Sequence, residues 1–125
     1  MANKFVNNNI ALAAVTATTT SVPTNIQEFD KIGLFVTTTG TAAGSVQVQV
    51  AADYDTRLGT SLSGFVNYGS AITFSSGVSA TYTEFGQGAT SNSIPQNLSA
   101  MWVQYVCTIS SGTGTATVTA CYKSI

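Results

Sequence analysis

The stretch from Ser45 to Ala51 alternates strictly, with Val46, Val48 and Val50 at every second position and Gln47 and Gln49 between them. Successive side chains of a strand point to opposite faces, so the pattern predicts a strand with one buried and one wet face. Upstream, Ile32-Gly33-Leu34-Phe35-Val36 leads into Thr37-Thr38-Thr39, and a Gly40-Thr41-Ala42-Ala43-Gly44 turn separates the two runs. The expectation is a hairpin joining Lys31 to Thr39 with Ser45 to Asp53. A second hairpin is expected from Ala100 to Ile109 and Thr115 to Lys123, around Ser110-Ser111-Gly112-Thr113-Gly114. With Cys107 opposite Val118, one apolar face collects Met101, Val103, Tyr105 and Cys107 with Val118, Ala120 and Tyr122. The other face carries Gln104, Thr108, Thr117, Thr119 and Lys123, and two large apolar residues, Trp102 and Val106, point outward among them.

Further strand candidates are Asn9 to Thr18, Ser70 to Phe74 and Val78 to Phe85, with long loops at Asp53 to Gly64 and Gly86 to Asn97. About seven to eight strands in a chain of 125 residues predict an all-β fold, a single antiparallel β-sandwich or jelly roll. Residues 10–125 form the sandwich domain in this reading. Residues 1–9, with Asn7-Asn8-Asn9 and little apolar content, form an extended N-terminal arm that reaches a neighbour. Phe5 and Val6 of the arm join Trp102 and Val106 as interface candidates, because outward apolar groups mark contact surfaces.

Composition narrows the function classes. Charged residues make up only 7% of the chain, four Lys/Arg against five Asp/Glu with no His, where ~25% is usual. Hydrophobic residues at 44% and a net charge of -1 argue for a folded core. Lys4, Lys31, Arg57 and Lys123 are too few and scattered to track phosphates, which excludes a nucleic-acid reader. The longest apolar run near the start, Ile10 to Val15, falls far short of the ~20 residues of a membrane-spanning helix and reads as a strand. Thr, Ser, Asn and Gln, numbering 20, 14, 8 and 6, wet the surface in place of charge. A surface with little self-repulsion favours association, so a homo-oligomer is expected.

Candidate chemistry is sparse. Ser and Cys nucleophiles need a His or a desolvated Lys as base, and the chain has no His, so no enzyme activity is expected. Asp53 and Asp55, in Asp53-Tyr54-Asp55, are a candidate calcium pair, but the ion takes six to eight oxygens and D-x-D supplies few. The plainer reading is a solvated turn with Arg57 as surface partner, and no metal or other cofactor is expected. Tyr54, Tyr68 and Tyr82 are candidates to line a sugar groove; the alternative is that such rings fill the core. In the predicted hairpin Cys107 and Cys121 point to opposite faces, and after a one-residue slip they stay ~13 Å apart, beyond the ~7 Å limit for a bridge. Only a turn centred near Gly114 would align them, so reduced thiols are expected.

The run from Gly40 to Asp53, with the closing Leu98-Ser99-Ala100-Met101-Trp102-Val103-Gln104-Tyr105 and Gly112-Thr113-Gly114-Thr115-Ala116-Thr117-Val118-Thr119-Ala120, resembles small β-sandwich structural proteins of tailed-phage virions. Among these the resemblance is to head decoration, or cement, proteins. It implies a homotrimer, made in the host cytoplasm, that sits on the capsid surface and clamps neighbouring major capsid subunits. Related sandwiches occur in necks and tails, and a carbohydrate-binding adhesion module is a further alternative.

Overall fold

A computed structural model describes residues 6–26, 29, 31–76, 80–86 and 101–123. They form β1 (Val6–Val15), β2 (Thr19–Thr20), β3 (Thr24–Asn25), β4 (Lys31–Thr38), β5 (Ala43–Ala51), β6 (Val66–Asn67), β7 (Ile72–Phe74), β8 (Ala80–Gly86), β9 (Trp102–Ser111) and β10 (Ala116–Lys123). The first sheet, of four strands, runs β1-β10-β4-β8. The second runs β2-β9-β5-β6, with β3 also on β9 and β7 also on β5. Every pairing is antiparallel, and the two sheets pack as a β-sandwich.

The strand count exceeds the expected seven to eight because each edge of the second sheet is broken in two. Pro23 between β2 and β3 has no N–H for the ladder. Ser21 bridges the gap: its amide donates to the Tyr105 carbonyl at 2.9 Å, and its Oγ accepts from the Tyr105 amide at 2.8 Å. On the far edge, the Tyr68 amide reaches the Val48 carbonyl at 2.8 Å between β6 and β7.

Neither predicted hairpin pairs with itself. β4 lies against β10, with Val36 opposite Val118 and Ile32 opposite Tyr122, whereas β5 lies against β9, with Val46 opposite Cys107 and Val48 opposite Tyr105. Both turns cross from one sheet to the other. Period-two alternation tells which way a side chain points and is silent on which strand lies alongside. The turns themselves meet: Thr39 N donates to Thr115 O at 2.9 Å and Thr41 N to Thr113 O at 2.7 Å. Return bonds run from Thr113 N to Thr41 Oγ1 at 2.9 Å and from Thr115 N to Thr39 Oγ1 at 3.0 Å. A continuous two-stranded ribbon therefore bends through a threonine-bonded corner. Gly112 and Gly114 hold positive φ there (81° and 127°), and a Cβ on either would fall on the carbonyl of Thr41 or Thr39.

The core lies between the sheets, with Ile32, Leu34, Val36, Val118 and Tyr122 from one and Val46, Val48, Val103, Tyr105 and Cys107 from the other all buried. The faces assigned from sequence are thus right residue by residue, except Met101, which lies just before β9 and is exposed. Two buried hydroxyls, Tyr105 and Tyr122, bond each other at 3.0 Å, so neither is left unsatisfied in an apolar setting. Both cysteines are free: Cys107 points into the core, and Cys121 lies on the outer face of the first sheet. Strand β1 takes in residues 6–9, which pair with Ala120 to Lys123, so this part of the expected arm belongs to the sheet. Residues 1–5 lie outside the described residues.

Candidate functional site

The loop after β5 is built around Asp53. Its Oδ1 accepts from the Ser63 amide at 2.9 Å and the Ser61 hydroxyl at 3.2 Å, and its Oδ2 from the Leu62 amide at 2.9 Å. These donors, led by Ser63, lower the carboxyl to a pKa of about 2. Asp55 caps the next turn, its Oδ1 accepting from the amides of Arg57 at 2.9 Å and Leu58 at 3.2 Å. Arg57 thus meets Asp55 through its backbone. Both carboxylates accept from backbone amides, and no cluster of three or more His, Cys, Asp or Glu occurs among the described residues.

The loop encloses an open hollow of about 530 Å³ lined by Asp53, Tyr54, Asp55, Leu58 and Leu62. Leu58 is 65% exposed and Leu62 98%. Leu62 thus stands almost wholly in water beside the anchored Asp53 carboxylate, with the exposed Leu58 on the same loop. Nearby, Trp102 and Val106 lie half-buried on the outer face of the second sheet. The Trp102 ring has its centroid 5.3 Å from that of Tyr54, which in turn meets Phe65 edge-on at 6.1 Å. The same chain therefore covers part of Trp102, which sequence could not show. Beside it, Gln104 Nε2 bonds Gln49 Oε1 at 2.8 Å and Gln49 Nε2 bonds Asn67 Oδ1 at 3.0 Å, a neutral amide chain across three strands.

A second surface occupies the outer face of the first sheet. Phe35 and Tyr82 are direct cross-strand partners, their ring centroids 4.5 Å apart, and both are exposed. The Tyr82 ring lies over Gly33, where an added Cβ would come within 3.1 Å of it. Its hydroxyl donates to Glu84 Oε2 at 2.7 Å, and Lys31 Nζ sits 3.4 Å from the same oxygen. Burial, then the Glu84 carboxylate, pushes the Tyr82 phenol up to about 12. Cys121 and Lys123 complete a hollow of about 220 Å³. Tyr82 is among the residues the sequence singles out and Phe35 is not; its signal in the sequence is a Gly and an outward Phe on one face of β4. Tyr68, proposed for a sugar groove, is in the core. Phe5 lies outside the described residues, and Val6 is placed by its backbone alone, opposite Lys123.

The fold has a recognisable counterpart among solved structures. The crystal structure of the SPBc2 prophage-derived protein YomS matches 99% of this chain and 97% of its own, with a TM-score of 0.64 at 11% identity. A structure of the infectious bursal disease virus Gx strain matches 98% of this chain, which spans 33% of that one, with a TM-score of 0.48 at 14% identity. Bacillus endospore appendages, described as disulfide-linked pili, match 99% of this chain and 93% of theirs at 16% identity and a TM-score of 0.40. The likeness to YomS is one of fold. No family model matches the chain, and no curated protein matches its sequence.

Proposed function

We propose that the chain is a non-enzymatic structural protein of a virion, and specifically a head decoration protein that binds as an oligomer, a trimer in the simplest form, across neighbouring major capsid subunits. The observation that carries this reading is the whole-chain fold likeness to a prophage-derived protein. The surface agrees: Leu58, Leu62, Val66, Phe35 and Tyr82 are exposed on a chain with few charges, as suits a subunit whose faces become covered. The strand order adds support. Taking β2 with β3 and β6 with β7 as two broken strands gives eight, four to a sheet, and every consecutive pair except β5 and β6/β7 changes sheet, which supports the jelly-roll reading.

The test is co-sedimentation of the purified chain with heads of the phage or prophage that encodes it, followed by imaging. Threefold density on the capsid surface is the expected result. Sixfold or twelvefold density at the neck or tail would move the protein to those parts of the same virion. The Tyr54 ring beside Asp53 and Asp55 in an open hollow favours a second reading, a glycan-binding adhesion module. Silence on a glycan array with and without calcium eliminates it.

A further inference from the structure

The chain has nine charged side chains, and each one among the described residues belongs to one of the two surfaces above. Asp53, Asp55 and Arg57 lie on the loop after β5 and sum to -1. Lys31, Glu84 and Lys123 lie on the outer face of the first sheet and sum to +1. Elsewhere the described surface is neutral. The two places are also opposite in shape. The loop presents Leu62, 98% exposed, on a backbone pinned by Asp53 through three hydrogen bonds. The sheet presents a hollow lined by Phe35 and by Tyr82, whose ring covers Gly33.

We propose that these are the two halves of one contact between copies of this chain: Leu62 of one copy seats against the exposed rings of Phe35 and Tyr82 of the next, and the Asp53/Asp55 loop faces Lys31 and Lys123. The inference rests on the oligomer proposed above and gives that oligomer its contact. Three features favour a second copy as the occupant. The net charges are equal and opposite. The apolar side chain and the apolar hollow each lie beside their own charges, so one docking pose satisfies both. The loop is ordered before binding, which spares the entropy of fixing it on contact. Because the two halves differ, the contact is head-to-tail. Repeated, it closes into a ring when the rotation between copies permits, as a trimer requires.

Native mass spectrometry of the full chain and two variants tests this. Leu62→Glu removes the knob and puts a carboxylate in its place; Phe35→Lys spoils the hollow with a cation. Both positions are exposed, and a retained β-sheet circular dichroism spectrum and melting transition confirm folding. Should Phe35→Lys unfold, Lys123→Glu takes its place. Each variant alone is expected to weaken self-association by roughly 10- to 100-fold, the effect of forfeiting one buried leucine or its site. Mixed in equal amounts, the two variants retain one intact half each and are expected to form a 1:1 dimer that neither forms alone. A wild-type oligomer that persists in both variants overturns this contact and leaves the oligomeric reading standing. A chain that is monomeric at every concentration overturns it as well, whatever its binding to heads. Variants that behave as expected on a chain that ignores heads uphold the contact and sink the decoration role.

Discussion

Asp53 sets the local order of its loop because three donors converge on one carboxylate. Its pKa of about 2, against 3.8 for an ordinary aspartate, fixes the sign of the pH effect. A folded-state pKa below the unfolded one contributes order that is complete above pH ~4 and is lost as pH falls through ~2. NMR amide signals of Leu62 and Ser63 are therefore expected to hold their positions down to that window and then broaden, and Asp53→Asn should remove the transition. In the core, Tyr105 and Tyr122 test hydrogen-bond accounting. Tyr105→Phe deletes one hydroxyl, while Tyr122 keeps Thr24 as a partner. A loss of about 1 kcal/mol in urea unfolding is expected. The cysteines should separate by exposure: Cys121 reacts with a thiol reagent in the native state, and Cys107, buried in the core, reacts only on unfolding. Much at this scale was legible. Alternation assigned Val46, Val48, Val103, Tyr105 and Tyr122 inward because the strand period leaves no other choice. That Asp53 and Asp55 end as amide acceptors matches their plain reading as turn residues. That Tyr54 shelters Trp102 was not legible, since nothing in sequence joins a loop ring to a strand ring.

Between elements, the decisive unit is the ribbon in which the β4–β5 segment lies against the β9–β10 segment. The alternation marks all four strands and both turns, but a tight hairpin would pair each strand with its chain neighbour, which the sheets do not. The corner explains the difference: Thr39 and Thr41 are bonded to Thr115 and Thr113, leaving each turn to pair with the other. The Gly40-Thr41 and Gly112-Thr113 steps of the two turns thus face each other in space. Gly112→Ala would require a positive φ and place a methyl on the Thr41 carbonyl. It is expected to cost roughly 2 kcal/mol or more, read as a thermal melt lower by several degrees. The Phe35–Tyr82 patch was hidden for a related reason, since only the β4–β8 register brings those rings together. The two long edges of the first sheet also differ. β1 carries register shifts around Leu12 and a positive φ at Ala14, irregularities that discourage edge pairing, whereas β8 pairs with β4 without a break.

Among its described residues, the molecule spends its few charges in two places and leaves the rest of the surface uncharged, to Thr, Ser, Gln and Asn with apolar residues such as Ile10, Val22 and Val66 among them. Association through the proposed contact should then depend only modestly on salt, because single net charges face each other across an apolar centre. Raising ionic strength is expected to shift the oligomer midpoint far less than Leu62→Glu does, measured by sedimentation velocity. The bent ribbon carries one more consequence, for the order of events in synthesis. β9 and β10 lie inside their sheets, between partners that leave the ribosome much earlier: Val48 must wait for Tyr105, and Val36 for Val118. Neither sheet can close around the first half of the chain. Folding dominated by such distant pairings is slow, on the order of milliseconds to seconds. A fragment ending at residue 100 should show no cooperative melt and should bind a hydrophobic dye through its uncovered valines. The nascent protein is thus all risk until β9 and β10 arrive, and then it completes both layers together.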